Sequence, residues 1–134
     1  MNIKGLNHIT IAVSNIDISF EFYSNILKFK PIMKSEFSAY FDINGIWIAL
    51  VIDDNAGSSN HSHIAFTVEE DTFIEIKKEL QENGVIEWQK NVTEGDSYYF
   101  LDPSGNKLEI HVGNMFDRIK HGKMYWENNV KWYI

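Results

Sequence analysis

Two short stretches of this chain follow the same sequence pattern. Residues 5–13 read Gly-Leu-Asn-His-Ile-Thr-Ile-Ala-Val, and residues 60–68 read Asn-His-Ser-His-Ile-Ala-Phe-Thr-Val. Each stretch sets a histidine, His8 or His63, at the head of an alternating apolar strand, and an amphipathic helical stretch follows each strand. This internal repeat predicts a fold built from two similar halves, with a residue able to bind a metal ion at the same point of each half.

Periodicity and turn residues predict the same order of elements in both halves. The first half has a helix from an N-cap at Ser14 or Asn15 to about residue 28, and the second has a helix from about 70 to 82. The predicted strands lie at about 5–13, 30–36, 38–43 and 46–53, and then at about 62–68, 86–91, 97–101 and 107–112.

These elements predict one α+β domain of two βαβββ modules, which suits a length of 134 residues. Module 1 covers about residues 3–53 and module 2 about residues 62–113, with a polar linker at about 54–61. The C-terminal tail, 114–134, is predicted to form one or two helical turns. Its aromatic residues are predicted to dock on another surface, such as a second subunit.

The chain carries no cysteine and a net charge of −7. The lack of cysteine excludes disulfides, zinc–thiolate sites and a cysteine nucleophile, so any thiol in the chemistry has to come from another molecule. The acidic balance argues against nucleic acid and anionic membranes as partners. No apolar run is as long as a membrane-spanning helix, and the N-terminus has no signal-peptide pattern, so a cytoplasmic protein is expected.

Two histidines and one carboxylate are candidate ligands for a divalent metal. His8 and His63 stand at the same point of the repeat, and Glu109 lies on the last predicted strand. Imidazole and carboxylate suit Mn, Fe, Ni or Zn, and three protein ligands leave coordination positions for a substrate. The alternative is that all three are ordinary strand residues. Two other histidines compete with them: His61, interpreted as a loop residue, and His111, interpreted as outward-facing.

The remaining candidate features each have an ordinary structural alternative. The strand of module 1 that corresponds to the strand of Glu109 covers 45–51 and has no ligand-type side chain, so a symmetric site would be open at one corner. The polar loop 93–97 can hold a cation or an anion, or be a solvated turn. Four single side chains can each contact a ligand, although each residue type is commoner in a core or on a surface: Tyr40, Trp47, Tyr99 and Arg118.

Five segments carry a family resemblance: residues 6–10 (Leu-Asn-His-Ile-Thr), 45–48 (Gly-Ile-Trp-Ile), 62–66 (Ser-His-Ile-Ala-Phe), 94–103 (Glu-Gly-Asp-Ser-Tyr-Tyr-Phe-Leu-Asp-Pro) and 108–113 (Leu-Glu-Ile-His-Val-Gly). They resemble the fosfomycin-resistance thiol transferases. These belong to the vicinal oxygen chelate superfamily, together with glyoxalase I and the extradiol dioxygenases. The resemblance covers about residues 3–120.

The resemblance implies a homodimer that exchanges modules, so that His8 of one chain joins His63 and Glu109 of the other. It implies Mn²⁺ as the preferred metal, with fosfomycin as its ligand and a small thiol, such as glutathione, as co-substrate. Catalytic positions of the family match Thr10, Tyr99 and Arg118. Its substrate contacts match Tyr40, Trp47, Lys90, Thr93, Ser97 and Tyr125, and its potassium-binding loop, which adds K⁺, matches Glu94, Gly95, Asp96 and Ser97.

Two positions favour the glutathione-type branch of this family. Bacillithiol-using relatives commonly have Cys at the position of Thr10, and hydrating relatives have a general-base Glu at the position of Ser38. Close relatives also have Lys directly after a Glu-Trp pair, where this chain has Gln89 and then Lys90. A shift of one residue turns a strand side chain to the other face, so Lys90 takes that role only through a bulge. Tyr125 is the candidate for the family's tail tyrosine.

The sequence therefore predicts a Mn²⁺- and K⁺-dependent transferase that opens the epoxide of fosfomycin with glutathione, or alternatively with L-cysteine or bacillithiol. Another metal enzyme of the superfamily, a glyoxalase-like isomerase or a ring-cleaving dioxygenase, is the second hypothesis, and a dioxygenase would need His61 or His111 as its base. A non-catalytic antibiotic-binding protein is the third. The two histidines and one carboxylate argue against that third hypothesis, because such binders lack the metal ligands.

Overall fold

The computed structural model describes residues 2–93, 95–127 and 129–134 of the chain. The strands in this part of the chain are β1 His8–Val13, β2 Lys30–Lys34, β3 Ser38–Ile43, β4 Ile46–Ile52, β5 Ile64–Thr67, β6 Glu87–Gln89, β7 Ser97–Leu101 and β8 Lys107–His111. The helices are α1 Ile16–Glu21, which continues into a π-helical turn at Phe22–Ile26, α2 Glu70–Glu82 and α3 Met115–Tyr125.

Each module forms one four-stranded mixed sheet. The strand orders are β1-β4-β3-β2 in module 1 and β5-β8-β7-β6 in module 2. The first strand of each module runs parallel to its neighbour, and the other pairs are antiparallel. The predicted α+β fold with two βαβββ modules is confirmed. Several strands are shorter than predicted; β1, for example, begins at His8 because its ladder with β4 begins with the pair His8 and Trp47.

Helix ends follow the local sequence. Asn15 is the N-cap of α1, and its side-chain oxygen accepts a hydrogen bond of 2.9 Å from the backbone N–H of Ile18. Helix α2 spans the predicted residues and ends at Asn83. The next residue, Gly84, has a φ of 67°, a left-handed conformation that glycine adopts without the steric cost of a Cβ atom.

The tail helix α3 is longer than the one or two turns that the sequence predicts. Its N-terminus is a capping box in which Asn114 and Asp117 each bond the other's backbone N–H, at 3.1 and 3.0 Å. Trp126 and Trp132 stack with ring centroids 5.8 Å apart and lie directly on Gly122. These two indoles therefore pack on the last turn of α3 in their own chain.

One face of both sheets packs against α1, its π-helical turn and α2 in a single hydrophobic core. The most deeply buried large side chains are Val13, Tyr23, Phe41, Ile48, Leu50, Leu80, Phe100, Leu108 and Ile110. Burying a side chain of this size stabilises a fold by about 1.5–3 kcal/mol, so this layer supplies most of the force that holds the sheets in place. Among the described residues, no helix is long and apolar enough to cross a membrane.

Polar contacts fix the two modules to each other around this core. The buried hydroxyl of Tyr23, in module 1, donates a 2.7 Å hydrogen bond to Oδ2 of Asp102, in the turn between β7 and β8. From the same turn, Nδ2 of Asn106 donates to the carbonyl oxygen of Ala12 at 2.7 Å. The free edge of β1 is thereby attached to module 2, so the positions of the two sheets are coupled.

Candidate metal and substrate site

The face of the module 2 sheet that points away from the core carries polar side chains. Side chains alternate along a strand, so Glu109 and His111 of β8 share one face, opposite to that of the buried Leu108 and Ile110. The register places Tyr99 beside Glu109 and Ser97 beside His111. His63 comes immediately before β5, the other neighbour of β8. The fold therefore brings one candidate carboxylate, two histidines and two hydroxyl groups to one surface.

Glu109 and His63 form a close pair at the centre of this surface. Oε1 of Glu109 lies 3.0 Å from Nε2 of His63, and the Glu109 side chain is almost fully buried. Nδ1 of His63 lies 3.0 Å from the carbonyl oxygen of His61, a contact in which only the ring nitrogen can donate. A neutral His63 therefore turns the lone pair of Nε2 toward an anionic oxygen. These two groups attract each other only when a proton or a metal cation lies between them.

The spacing of this pair fits a divalent metal ion. Two ligand atoms at right angles on one ion, each about 2.1 Å from it, lie about 3.0 Å apart, and the Nε2–Oε1 distance is 3.0 Å. A ring nitrogen fixed through its second nitrogen is the usual arrangement of a metal-binding histidine. No three His, Asp or Glu side chains in the described part of one chain form a complete metal-binding group. The spacing of His63 and Glu109 is thus compatible with two ligands of a divalent ion, and the described part of one chain supplies no third beside them.

A cavity of about 470 Å³ opens beside this pair. Three more of the predicted site residues line it, Thr93, Tyr99 and Arg118. The guanidinium of Arg118 lies 5.3 Å from the Trp126 ring, so α3 and the tail position this cation at the cavity. Ser97 is buried behind the cavity wall, where its hydroxyl donates a 2.8 Å hydrogen bond to Oε2 of Glu109. The cavity thus combines a buried carboxylate with a cation suited to an anionic ligand.

The corresponding face of module 1 carries a second group of predicted residues. The rings of His8 and Trp47 lie 4.4 Å apart, and the ring of Tyr40 meets Trp47 edge-on at 5.1 Å. Thr10 lines a separate cavity of about 220 Å³ that also includes His63. Ala49 stands opposite Thr10 and Tyr40 in the sheet, as Glu109 stands opposite Ala65 and Tyr99. The counterpart of Glu109 in module 1 is therefore an alanine.

Several predicted residues lie outside the 470 Å³ cavity. The Nζ of Lys90 pairs with Oε1 of Glu87 at the surface, and this hydrogen bond, with the charge of Glu87, raises the pKa of Lys90. The ladder between β6 and β7 shifts register between Glu87 and Gln89, and Gln89 is the residue that lines the cavity. Tyr125 is exposed and packs against His121 on α3.

The predicted potassium loop is described only in part. Glu94 lies outside the described residues. Asp96 contributes its carbonyl oxygen to a 2.9 Å hydrogen bond from the backbone N–H of Val112, which ties the loop to the end of β8. Gly95 has a φ of 74°, and a Cβ atom there would lie 3.0 Å from the carbonyl oxygen of Val112. The loop therefore packs directly on the strand that carries Glu109.

His111 faces away from the hydrophobic core, in line with its outward-facing interpretation, and this outer face is the one that carries the cavity. His111 lines the cavity, and its Nδ1 lies 2.5 Å from Oγ of Ser97 and 3.3 Å from Oε2 of Glu109. The physical reason is the period of two, which places residues 109 and 111 of a strand on the same face. The same rule, applied at the sequence level, predicts this position.

Two other residues, Trp88 and His61, also lie near the site. The indole N–H of Trp88 donates to the carbonyl oxygen of Leu108 at 3.0 Å, and its ring packs edge-on against His63 and Tyr99 at 5.3 and 5.2 Å. His61, predicted to be a loop residue, also lines the cavity. The packing of Trp88 against His63 and Tyr99 depends on contacts between segments that are distant in the chain. A single sequence carries no local signal for such contacts.

Comparisons with known proteins agree with this geometry. Residues 5–110 match the model of the Glyoxalase/Bleomycin resistance protein/Dioxygenase superfamily. The chain is 41% identical to the metallothiol transferase FosB of Staphylococcus haemolyticus (strain JCSC1435) over 128 residues, which are 90% of this chain and 92% of the relative. It is 36% identical to the glutathione transferase FosA of Serratia marcescens over 122 residues, 87% of this chain and 86% of the relative.

A solved structure shows the same fold. The crystal structure of the fosfomycin resistance protein FosX from Listeria monocytogenes, complexed with Mn(II) and sulfate ion, matches with a TM-score of 0.80 and 29% identity over 90% of this chain and 98% of that one. The paired modules, the His63–Glu109 pair and these similarities lead to one conclusion: the chain belongs to the fosfomycin-resistance Fos proteins of the glyoxalase superfamily.

Proposed function

We propose that this protein is a divalent-metal-dependent transferase that joins a small thiol to the epoxide of fosfomycin. The observation that carries the proposal is the 3.0 Å contact between His63 Nε2 and Glu109 Oε1 inside a cavity that Arg118 also lines. A buried carboxylate and an oriented imidazole suit a metal ion, and the guanidinium suits the phosphonate of the substrate. Relatives named as metallothiol and glutathione transferases support the reaction class.

The proposed metal ligands are His63, Glu109 and His8. A divalent ion bound there supplies Lewis acidity toward the epoxide oxygen, on which negative charge develops as the ring opens. Mn²⁺ is the ion that the relative FosX carries in its crystal structure, and we infer that it serves here as well. His8 belongs to the other module, and one chain does not assemble all three ligands. We therefore propose a homodimer in which module 1 of a second copy faces the cavity of module 2.

The reaction exchanges one bond for another. The thiolate sulfur forms a bond to an epoxide carbon, the bond from that carbon to the ring oxygen breaks, and the oxygen takes a proton to become a hydroxyl group. Arg118 and Tyr99 hold the phosphonate, since both line the cavity beside Glu109. Thr93 and Ser97 add hydroxyl groups at the loop that we propose binds K⁺. Thr10, Tyr40 and Trp47 of the second copy close the site above the epoxide and exclude water.

The thiol has to be a separate molecule, because the chain has no cysteine. We propose glutathione as the donor, on the ground that Thr10 stands where bacillithiol-using relatives commonly have Cys. The 41% identity to a metallothiol transferase makes L-cysteine and bacillithiol the alternatives. Direct hydration has less support: Ser38, at the position of the hydrating relatives' base, carries no carboxylate and bonds with Ser35 at 3.1 Å.

Turnover of fosfomycin tests the proposal. Purified protein loaded with Mn²⁺, with and without K⁺, is incubated with fosfomycin and each of glutathione, L-cysteine and bacillithiol, and the products are separated by mass. We expect a thiol adduct that depends on Mn²⁺ and is fastest with glutathione. An adduct that forms only with another thiol would reject glutathione as the donor and leave the transferase reaction standing. A diol in place of an adduct, or no product with any thiol, would reject the transferase.

A further inference from the structure

The metal-facing carboxylate of Glu109 is held from behind by a short chain of hydrogen bonds. Oγ of Ser97 donates to Oε2 of Glu109 at 2.8 Å, and Nδ1 of His111 lies 2.5 Å from the same Oγ. We propose that His111 is a positioning residue that fixes the Glu109 carboxylate for metal binding. The inference rests on the proposed metal-dependent function, and neither the repeat nor the predicted ligand set includes His111.

The proton positions in this chain follow from the donor inventory. An ionised Glu109 only accepts, and the Ser97 hydroxyl has one proton, which it gives to Oε2. The oxygen of Ser97 then faces Nδ1 of His111 as an acceptor, so Nδ1 has to carry a proton. The order of donation is therefore from His111 through Ser97 to Glu109. Nδ1 also lies 3.3 Å from Oε2 itself, so the same proton supports the carboxylate directly.

Two glycines, Gly113 and Gly95, leave room for the imidazole ring of His111. A Cβ atom on Gly113 would lie 3.3 Å from Nε2 of His111, and one on Gly95 would lie 4.0 Å from Cε1. Both glycines have a positive φ, 122° and 74°. The hydrogen bond from Val112 to Asp96 closes the loop over the same strand end. The ring is therefore confined between the loop and the strand, which limits its rotation away from Ser97.

This arrangement assigns different tasks to the two carboxylate oxygens. Oε2 is occupied by Ser97 and His111, whereas Oε1 faces Nε2 of His63. Glu109 thus presents Oε1 to the ion. Partners that hold a metal ligand in place typically contribute about 10- to 100-fold to metal affinity, so His111 is expected to contribute on this scale.

Two conservative variants separate a positioning role from a merely structural one. His111→Asn keeps a nitrogen donor near the place of Nδ1, whereas His111→Gln keeps one near Nε2. We expect the dissociation constant for Mn²⁺, measured by calorimetry without substrate, to rise about 10- to 100-fold in His111→Gln and His111→Ala and to stay within about threefold of wild type in His111→Asn. His121→Ala, outside the cavity on α3, is the matched control and should bind Mn²⁺ as wild type does.

Equal Mn²⁺ affinities in the Asn and Gln variants, or wild-type affinity in the Ala variant, would overturn the inference. If the variants do not fold, ¹⁵N NMR of the wild-type protein shows which ring nitrogen of His111 carries the proton. A proton on Nε2 instead of Nδ1 would overturn the inference. Because calorimetry needs neither fosfomycin nor thiol, wild type that binds Mn²⁺ but forms no adduct rejects only the proposed function. Wild type that binds no divalent ion rejects both.

Discussion

The contact between Tyr23 and Asp102 makes a quantitative prediction about how the modules are joined. Tyr23→Phe removes a 2.7 Å hydrogen bond to a carboxylate in a site where both side chains are buried. A hydrogen bond to a charged group contributes about 1.5–3 kcal/mol. Asn106 Nδ2 continues to donate to the same oxygen at 2.8 Å. We therefore expect the free energy of unfolding to fall by about 1.5–2 kcal/mol, at the lower end of that range.

Urea denaturation followed by far-UV circular dichroism measures this change. The slope of the transition should stay the same, since a single core unfolds in one step, and the melting temperature should fall by roughly 5–8 °C. Tyr125→Phe is the matched control, because Tyr125 is exposed and its loss of a hydroxyl should leave stability unchanged. If Tyr23→Phe is destabilised by less than about 0.5 kcal/mol, this hydrogen bond does not hold the two modules together.

Three further predictions concern titration, the tail and the substrate cavity. Burial, and then the charge of Asp102, raise the pKa of Tyr23. The unfolded chain therefore loses this proton first, so the contribution of Tyr23 to stability is intact below about pH 10 and falls by up to about 1.4 kcal/mol per pH unit above it. Denaturation series at alkaline pH should show a smaller fall in Tyr23→Phe, in which only groups such as Tyr98, whose pKa is also raised by burial, still contribute. Gly122→Ala places a Cβ 2.7 Å from a ring carbon of Trp126, so the stacked indoles of Trp126 and Trp132 should separate. Tryptophan fluorescence should change, and the free energy of unfolding should fall by about 1–3 kcal/mol. An unchanged fluorescence spectrum would contradict this packing of the tail. Gln89→Lys adds a cation to the cavity and should lower the KM for fosfomycin about fivefold, the equivalent of about 1 kcal/mol. Lys90→Ala should leave this KM unchanged, because Lys90 pairs with Glu87 at the surface. A KM that changes in Lys90→Ala but not in Gln89→Lys would place Lys90 at the substrate.

The repeat made the two-module architecture predictable from the sequence. His8 and His63 mark the starts of equivalent parallel strands, and hydrophobic alternation identified the strands that follow. Glu109 was a candidate because it lies on the last predicted strand, and the register places that strand beside the one that His63 precedes. Local rules of this kind are reliable when one face of a sheet is buried, because a slip of one residue would expose the core.

Features that depend on distant contacts were not predictable in the same way. The register shift between Glu87 and Gln89 decides which of two adjacent side chains reaches the cavity, and it arises from pairing with β7. The bond between Tyr23 and Asp102 joins residues 79 positions apart. His111 is a different case, because the period of two alone places it on the same face as Glu109.

In the proposed dimer, histidines from both modules, one from each of two copies, bind one metal ion with Glu109. His8→Ala and His63→Ala proteins are purified separately, mixed and allowed to exchange subunits, and bound Mn²⁺ is counted in each sample. Each variant alone should bind no Mn²⁺ at the site. In the mixture, half of the dimers combine the two variants and each has one intact site, so binding should return to about a quarter of the wild-type level. No recovery in a mixture that has exchanged subunits would rule out a metal ion shared between two copies.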